Sequence, residues 1–125
     1  PEMVGIGPFI AHKDTPFCNE RSGTLDDTLF YLALLRLMLP NVLLPATTAL
    51  GTIHPRGREM GVLSGANVVM PNLSPVSVRK KYMLYDGKIC TGDEAAECRM
   101  CLSRRMERIG CEVVTDRGDY KKRLA

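Results

Sequence analysis

Val42-Leu43-Leu44-Pro45 is a short apolar run closed by proline, after which polar residues lead into a helical pattern. Met3-Val4-Gly5-Ile6-Gly7-Pro8 and Asn67-Val68-Val69-Met70-Pro71 repeat the arrangement. Such runs, alternating with helical segments, predict parallel strands buried on both faces by helices. The expected fold class is α/β. Three strands of this kind leave two unpaired edges, and open edges invite aggregation. The expectation is therefore the C-terminal part of a larger (β/α) barrel of TIM type, whose remainder lies outside these 125 residues; Pro1 stands where an initiator methionine is missing.

Outward from these runs, Met3 to Ile10 reads as the first strand and Ala11 to Gly23 as a polar loop. Thr24 is an N-cap, with Asp26 and Asp27 at the positive end of the helix it starts. Leu25, Leu29, Leu32, Leu35 and Leu39 recur at helical spacing until Pro40 stops the helix. Phe30, Tyr31, Leu34 and Leu37 make it apolar nearly all round, which predicts a covering element on its outer side. The second strand spans Val42 to Thr48, and Pro55 opens a short helix that ends at Gly65. The third strand is Asn67 to Met70, followed by a Ser74-Pro75 helix start and an Asp86-Gly87 turn. Residues 1–87 thus form the strand-helix units. Beyond Lys88 the alternation ends: a helix from Thr91-Gly92-Asp93-Glu94 to Ile109, Gly110 as its stop, Cys111 to Val114 as a short strand, and a polar tail.

The hydrophobic share of 45% is enough for a core. A net charge of +3, with basic residues dispersed until Lys121-Lys122-Arg123, gives no footprint for nucleic acid. No apolar run reaches the roughly 18 residues of a membrane helix, so a soluble protein without membrane contact is expected. Five cysteines, an odd number, favour reduced thiols or metal ligation over a disulfide framework, and with them a cytoplasmic location.

In barrels of this kind reactive groups project from the C-terminal ends of the strands. That points to Gly7-Pro8-Phe9, Ala46-Thr47-Thr48-Ala49 and Met70-Pro71-Asn72. The hydroxyls of Thr47 and Thr48 suit hydrogen bonding to a ligand and Met70 an adaptable wall, although threonine is also an ordinary strand residue and methionine a common gap-filler. Cys90, Cys98 and Cys101 form a second constellation, the last two one helical turn apart. Three thiolates there suit an iron–sulfur cluster or zinc, with a fourth ligand from outside or from Cys111; the alternative is ordinary reduced cysteines, Cys98 packing with Ala95, Leu102 and Met106. Arg56 or Arg58, near a helix start beside His54, suits phosphate or carboxylate, or is simply a solvated helix start.

Several of these stretches resemble a known family. Val4 to Ile10, His12, Thr15-Pro16-Phe17, Ala46 to Gly51, Gly65 to Asn72, Tyr82, Tyr85 to Cys90, and then Cys98 and Cys101 look like the C-terminal part of the HydE family of radical S-adenosylmethionine maturases, which help assemble the active-site cluster of FeFe-hydrogenase. The resemblance runs along essentially the whole chain. It implies a barrel in which a 4Fe–4S cluster and S-adenosylmethionine generate a 5′-deoxyadenosyl radical that acts on an iron-bound, cysteine-derived precursor. It also implies that residues 88–125 belong to the associated region shared with biotin synthase, the BATS domain. Met3 matches a position on the cofactor side of the internal cavity, and Thr47, Thr48, Met70, Tyr82 and Tyr85 match positions on the substrate side. Cys90, Cys98 and Cys101 match the ligands of an auxiliary cluster that some members carry and others lack. Implied partners are the N-terminal barrel half of the same protein, the small organometallic precursor and other hydrogenase maturation proteins.

One departure is large. The Cys-x-x-x-Cys-x-x-Cys loop that holds the radical-generating cluster does not occur in this sequence. Biotin synthase and methylornithine synthase are the nearest alternatives, but the Thr47-Thr48 strand end and the three later cysteines favour the HydE family. A free-standing associated domain that acts as a binding scaffold is the alternative from a different functional class.

Overall fold

The computed structural model describes residues 1–89 and 95–119, side chains excepted at 80 and 95–98. Its elements are α1 (Leu25–Met38), β1 (Pro45–Ala46), α2 (Thr48–Ile53), α3 (Gly57–Leu63), β2 (Val68–Val69), α4 (Val76–Arg79) with a 3-10 turn over Lys80–Tyr82, and α5 (Ala95–Glu107). β1 and β2 pair in parallel, Pro45 opposite Val68 and Ala46 opposite Val69. A parallel bridge joins Met3 to Leu43 on the other side. The three apolar runs therefore lie side by side in chain order, with the run around Leu44 in the middle.

Leu44 shows why this middle run is held so firmly. Its carbonyl accepts from the N–H groups of both Asn67 (2.9 Å) and Val68 (3.1 Å). Its own N–H donates to the side-chain oxygen of Asn67 at 2.8 Å, so an amide side chain extends the ladder where the neighbouring backbone stops. On the opposite edge Val4 N–H donates to Leu43 O, and Leu43 N–H to Glu2 O, both at 3.0 Å. The backbone polar groups at the centre are satisfied, and the Leu44 side chain is fully buried.

The core gathers around that run: Leu32 from α1, Val42, Leu44, Ala46, Leu50 from α2 and Ala66, flanked by Val4, Ile6, Leu35 and Val62. Each buried leucine contributes about 1.5–3 kcal/mol relative to exposure. Thr24 caps α1 as expected: Asp27 N–H donates to its Oγ1 (3.1 Å), and its hydroxyl donates to the Asp27 carboxylate (2.6 Å). The α1 and α3 ends are stitched by Arg36, which donates from Nε to Gly65 O (2.8 Å) and from a terminal nitrogen to Pro40 O (2.9 Å). Gly65 holds φ +119° after the end of α3, and a Cβ there would press on the Arg36 side chain. At the α2–α3 junction a Cβ on Gly57 would fall inside the Leu50 carbonyl, so these two short helices touch through backbone. The outer face of α1 is open among the described residues, with Phe30, Tyr31, Leu34, Leu37 and Met38 exposed.

Several expected boundaries shift. The first strand contracts to the bridge at Met3, because Gly5, Gly7 and Pro8 weaken or remove ladder contacts. The second ends at Ala46; Thr47 becomes the N-cap of α2 and Thr48 its first residue. Pro55 lies in the turn before α3, which begins at Gly57. Cys111 to Val114 is not a strand: no neighbouring backbone among the described residues offers a ladder, and Cys111 N–H instead closes the end of α5 on Met106 O.

α5 is tied to this body by a forked ion pair. Arg105 donates to both Glu59 carboxylate oxygens, at 2.7 and 2.6 Å, while Leu102 and Met106 bury on the same helix. Burial raises the Glu59 carboxyl, but the Arg105 hydrogen bond, a bond from its own backbone and the charges of Arg105 and Arg56 outweigh it and leave it below its ordinary value.

Two outcomes follow from these contacts. Asn67→Ala strands the Leu44 N–H and is expected to cost about 1–3 kcal/mol, whereas Asn67→Asp keeps an acceptor and loses less; denaturant midpoints at unchanged m-value read the difference. Because the Glu59 carboxyl is lowered by folding, its contribution is full above the unfolded carboxyl value near ~4.3 and is lost as pH falls through the folded one. Stability should therefore drop on acidification below about pH 4 in the native chain, and Glu59→Gln, measured by urea unfolding across the acid range, should flatten that drop.

Candidate functional site

At the C-terminal ends of the parallel runs lies a cavity of about 290 Å³, lined by Thr48, Met70, Pro71, Asn72, Ser74, Arg79, Tyr82, Lys88 and Ile89. Parallel pairing creates it. β1 and β2 end together, so the residues that follow them, Thr48 at the start of α2 and Met70 after β2, meet at one mouth. The 3-10 turn after α4 supplies Tyr82, and the segment after the Asp86-Gly87 turn supplies Lys88 and Ile89.

The wall is largely apolar, with the cations of Arg79 and Lys88 and the hydroxyl of Thr48 set into it. Arg79 is only 2% exposed, and it donates from Nε to Ser74 O (2.8 Å) and from a terminal nitrogen to Asn72 O (3.1 Å). It thereby shapes the loop over the cavity from beneath. Lys88 Nζ donates to Tyr82 O at 2.8 Å, which fixes the far rim. Thr48 Oγ1 accepts from the buried Arg58 guanidinium at 3.2 Å. Arg79 and Lys88 both border the space, with Met70 and Ile89 as apolar contact.

Thr48 and Met70, expected from position and residue type, and Tyr82, expected from the resemblance alone, line this one cavity. The other expected positions are elsewhere. Thr47 does not line the cavity; its Oγ1 is buried without a hydrogen-bond partner among the described residues, and a Cβ on Gly7 would sit 2.8 Å from it. Met3 belongs to the bridge with Leu43 and is half exposed, and Tyr85 lies in the turn beyond the rim. Arg79 and Lys88 were not anticipated as site residues. Arg79 had a signal, a cation three residues after Val76 on an otherwise apolar helix start; Lys88 had none.

Of the cysteine constellation, Cys90 lies outside the described residues and so does the Cys98 side chain. Cys101 is exposed on α5, and Cys18 and Cys111 are also free. Among the described residues no three acidic, cysteine or histidine side chains converge. Nor is any described helix long and apolar enough to cross a membrane.

No family profile matches the chain. A HydE protein of Thermotoga maritima, a maturase subunit for FeFe-hydrogenase, is 47% identical over 121 residues, which is 97% of this chain and 35% of that protein. The chain therefore spans about a third of the length of its relative.

The Arg79 contacts generate a local prediction. Arg79→Gln removes charge-assisted bonds to two loop carbonyls and should cost about 2–3 kcal/mol, with new protease cleavage between Asn72 and Ser74. Arg79→Lys, lacking the planar fork, should recover only part of the loss. Unaltered cleavage and stability in both would show that the loop does not depend on this side chain.

Proposed function

Since the chain is a homologue of HydE along 97% of its length, we propose that it is the C-terminal part of a radical S-adenosylmethionine maturase of FeFe-hydrogenase. The observation that carries the reading is this match, 47% identical along nearly the whole chain. The parallel runs with a ligand-sized cavity at their C-terminal ends agree with a barrel continued by the other two thirds of such a protein. Residues 1–87 then belong to the barrel and 88–125 to the C-terminal associated region.

When bound in the complete protein, a 4Fe–4S cluster with S-adenosylmethionine supplies a 5′-deoxyadenosyl radical. The residues here do not fit that cluster, because the sequence has no Cys-x-x-x-Cys-x-x-Cys loop. Their part is to bind and orient the small organometallic, cysteine-derived precursor. Thr48, Met70 and Tyr82 form its contact surface, with Thr47 and Tyr85 nearby and Met3 toward the cofactor. Lys88 at the rim favours a precursor with a carboxylate. Cys90, Cys98 and Cys101 are the proposed thiolate ligands of an auxiliary iron–sulfur cluster, and the exposed Cys101 thiol is accessible for that role.

The test joins this chain to the remaining two thirds of the relative and assays both proteins anaerobically with a reductant. The isolated chain should yield no 5′-deoxyadenosine above a protein-free control, and the joined protein should yield it. In the joined protein, replacing Thr47 and Thr48 together by valine should impair precursor conversion more than folding, while Cys90, Cys98 and Cys101 changed to serine should lose only the extra iron and sulfide. Radical formation by the isolated chain, or full turnover in the valine variant, would overturn the assignment of roles.

A further inference from the structure

A second cavity, of about 510 Å³, opens between α3 and α5 and shares no residue with the first. Its walls are Pro55, Arg56 and Glu59 on one side, and Met100, Cys101, Arg104, Arg105 and Arg108 on the other. Residues 101, 104 and 105 fall on one face of α5 by helical spacing and Arg108 stands just past its end, which concentrates three guanidinium groups there. Among the described lining residues the single carboxylate is Glu59, already engaged by both oxygens with Arg105. Arg56, Arg104 and Arg108 are exposed. Arg56 acts through its charge on Glu59, and Arg104 and Arg108, the latter just past the end of α5, have no ion-pair partner among the described residues.

We propose that this cavity is a binding site for a small polyanion of the phosphate type, such as a diphosphate group. Four guanidinium groups gathered against one carboxylate leave an excess of positive charge, which is relieved by a ligand that brings several negative oxygens at once. Planar guanidinium groups grip phosphate oxygens in pairs, which favours this class over a single halide. The volume lies in the range of small-molecule sites. The Arg105–Glu59 fork forms the rigid floor that holds α3 and α5 at fixed separation. The inference stands independently of the role given to the Thr48 cavity.

Isothermal titration of the full chain with pyrophosphate, inorganic phosphate and a glutamate-rich peptide tests it. Saturable one-to-one binding of pyrophosphate is expected, about tenfold or more tighter than phosphate and weakening steeply with salt. The pair Arg104→Gln and Arg108→Gln should weaken it at least about tenfold, and Arg56→Gln, which leaves α5 untouched, should weaken it as well. Arg21→Gln, the same single-charge change as Arg56→Gln but outside the cavity, should leave it as it was; helix content by circular dichroism confirms that each variant folds. Absence of saturable pyrophosphate binding, an equal loss in Arg21→Gln, or tighter binding of the peptide would each overturn the proposal.

Discussion

The structure depends on the way the run around Leu44 is enclosed. Its backbone is paired toward Met3 and Val4 on one side and toward Asn67 and Val68 on the other. A buried apolar segment is stable only if its peptide groups find partners, and here the shortness of β2 would leave Leu44 N–H without one. Asn67 solves this with its side chain. Once that run is fixed, α1 and the α2–α3 pair have one surface to cover, and Leu32, Leu50 and Ala46 meet there.

The same constraint produces the cavity. Parallel neighbours end at the same level, so whatever follows each run is delivered to one rim, and the chain uses those positions for Thr48 and Met70. Arg79 then performs two tasks with one guanidinium: it holds the carbonyls of residues 72 and 74 and lends positive character to the space they enclose. On the far side, the Glu59–Arg105 fork decides where α5 sits, and with it the grouping of arginines around Cys101.

The sequence revealed the parts whose pattern is long or chemically distinctive. α1 was legible because five leucines repeat over several turns between a threonine cap and a proline, and its limits agree with Leu25–Met38. The parallel arrangement was legible because the three runs are apolar without alternation. α2 was not legible, since Thr48–Ile53 is too short to show a helical period and begins inside what reads as a β-branched strand end. Cys111 to Val114 reads as a strand from local preference, but a strand is a partnership and no ladder is offered to it among the described residues. At the cavity, Thr48, Met70 and Tyr82 were accessible by rule and resemblance together. Lys88 and the separation of Thr47 from Thr48 were not, because both depend on how distant segments pack: Lys88 reaches back to Tyr82, and Thr47 turns against Gly7.

The measurement closest to the central claim is an anaerobic crystal structure of this chain joined to the rest of the relative, with S-adenosylmethionine and precursor bound. The account predicts a continuous parallel barrel in which Met3, Leu43–Ala46 and Val68–Val69 are adjacent strands, with precursor density in contact with Thr48, Met70 and Tyr82. Antiparallel pairing of these runs, or precursor bound away from their C-terminal ends, would contradict it.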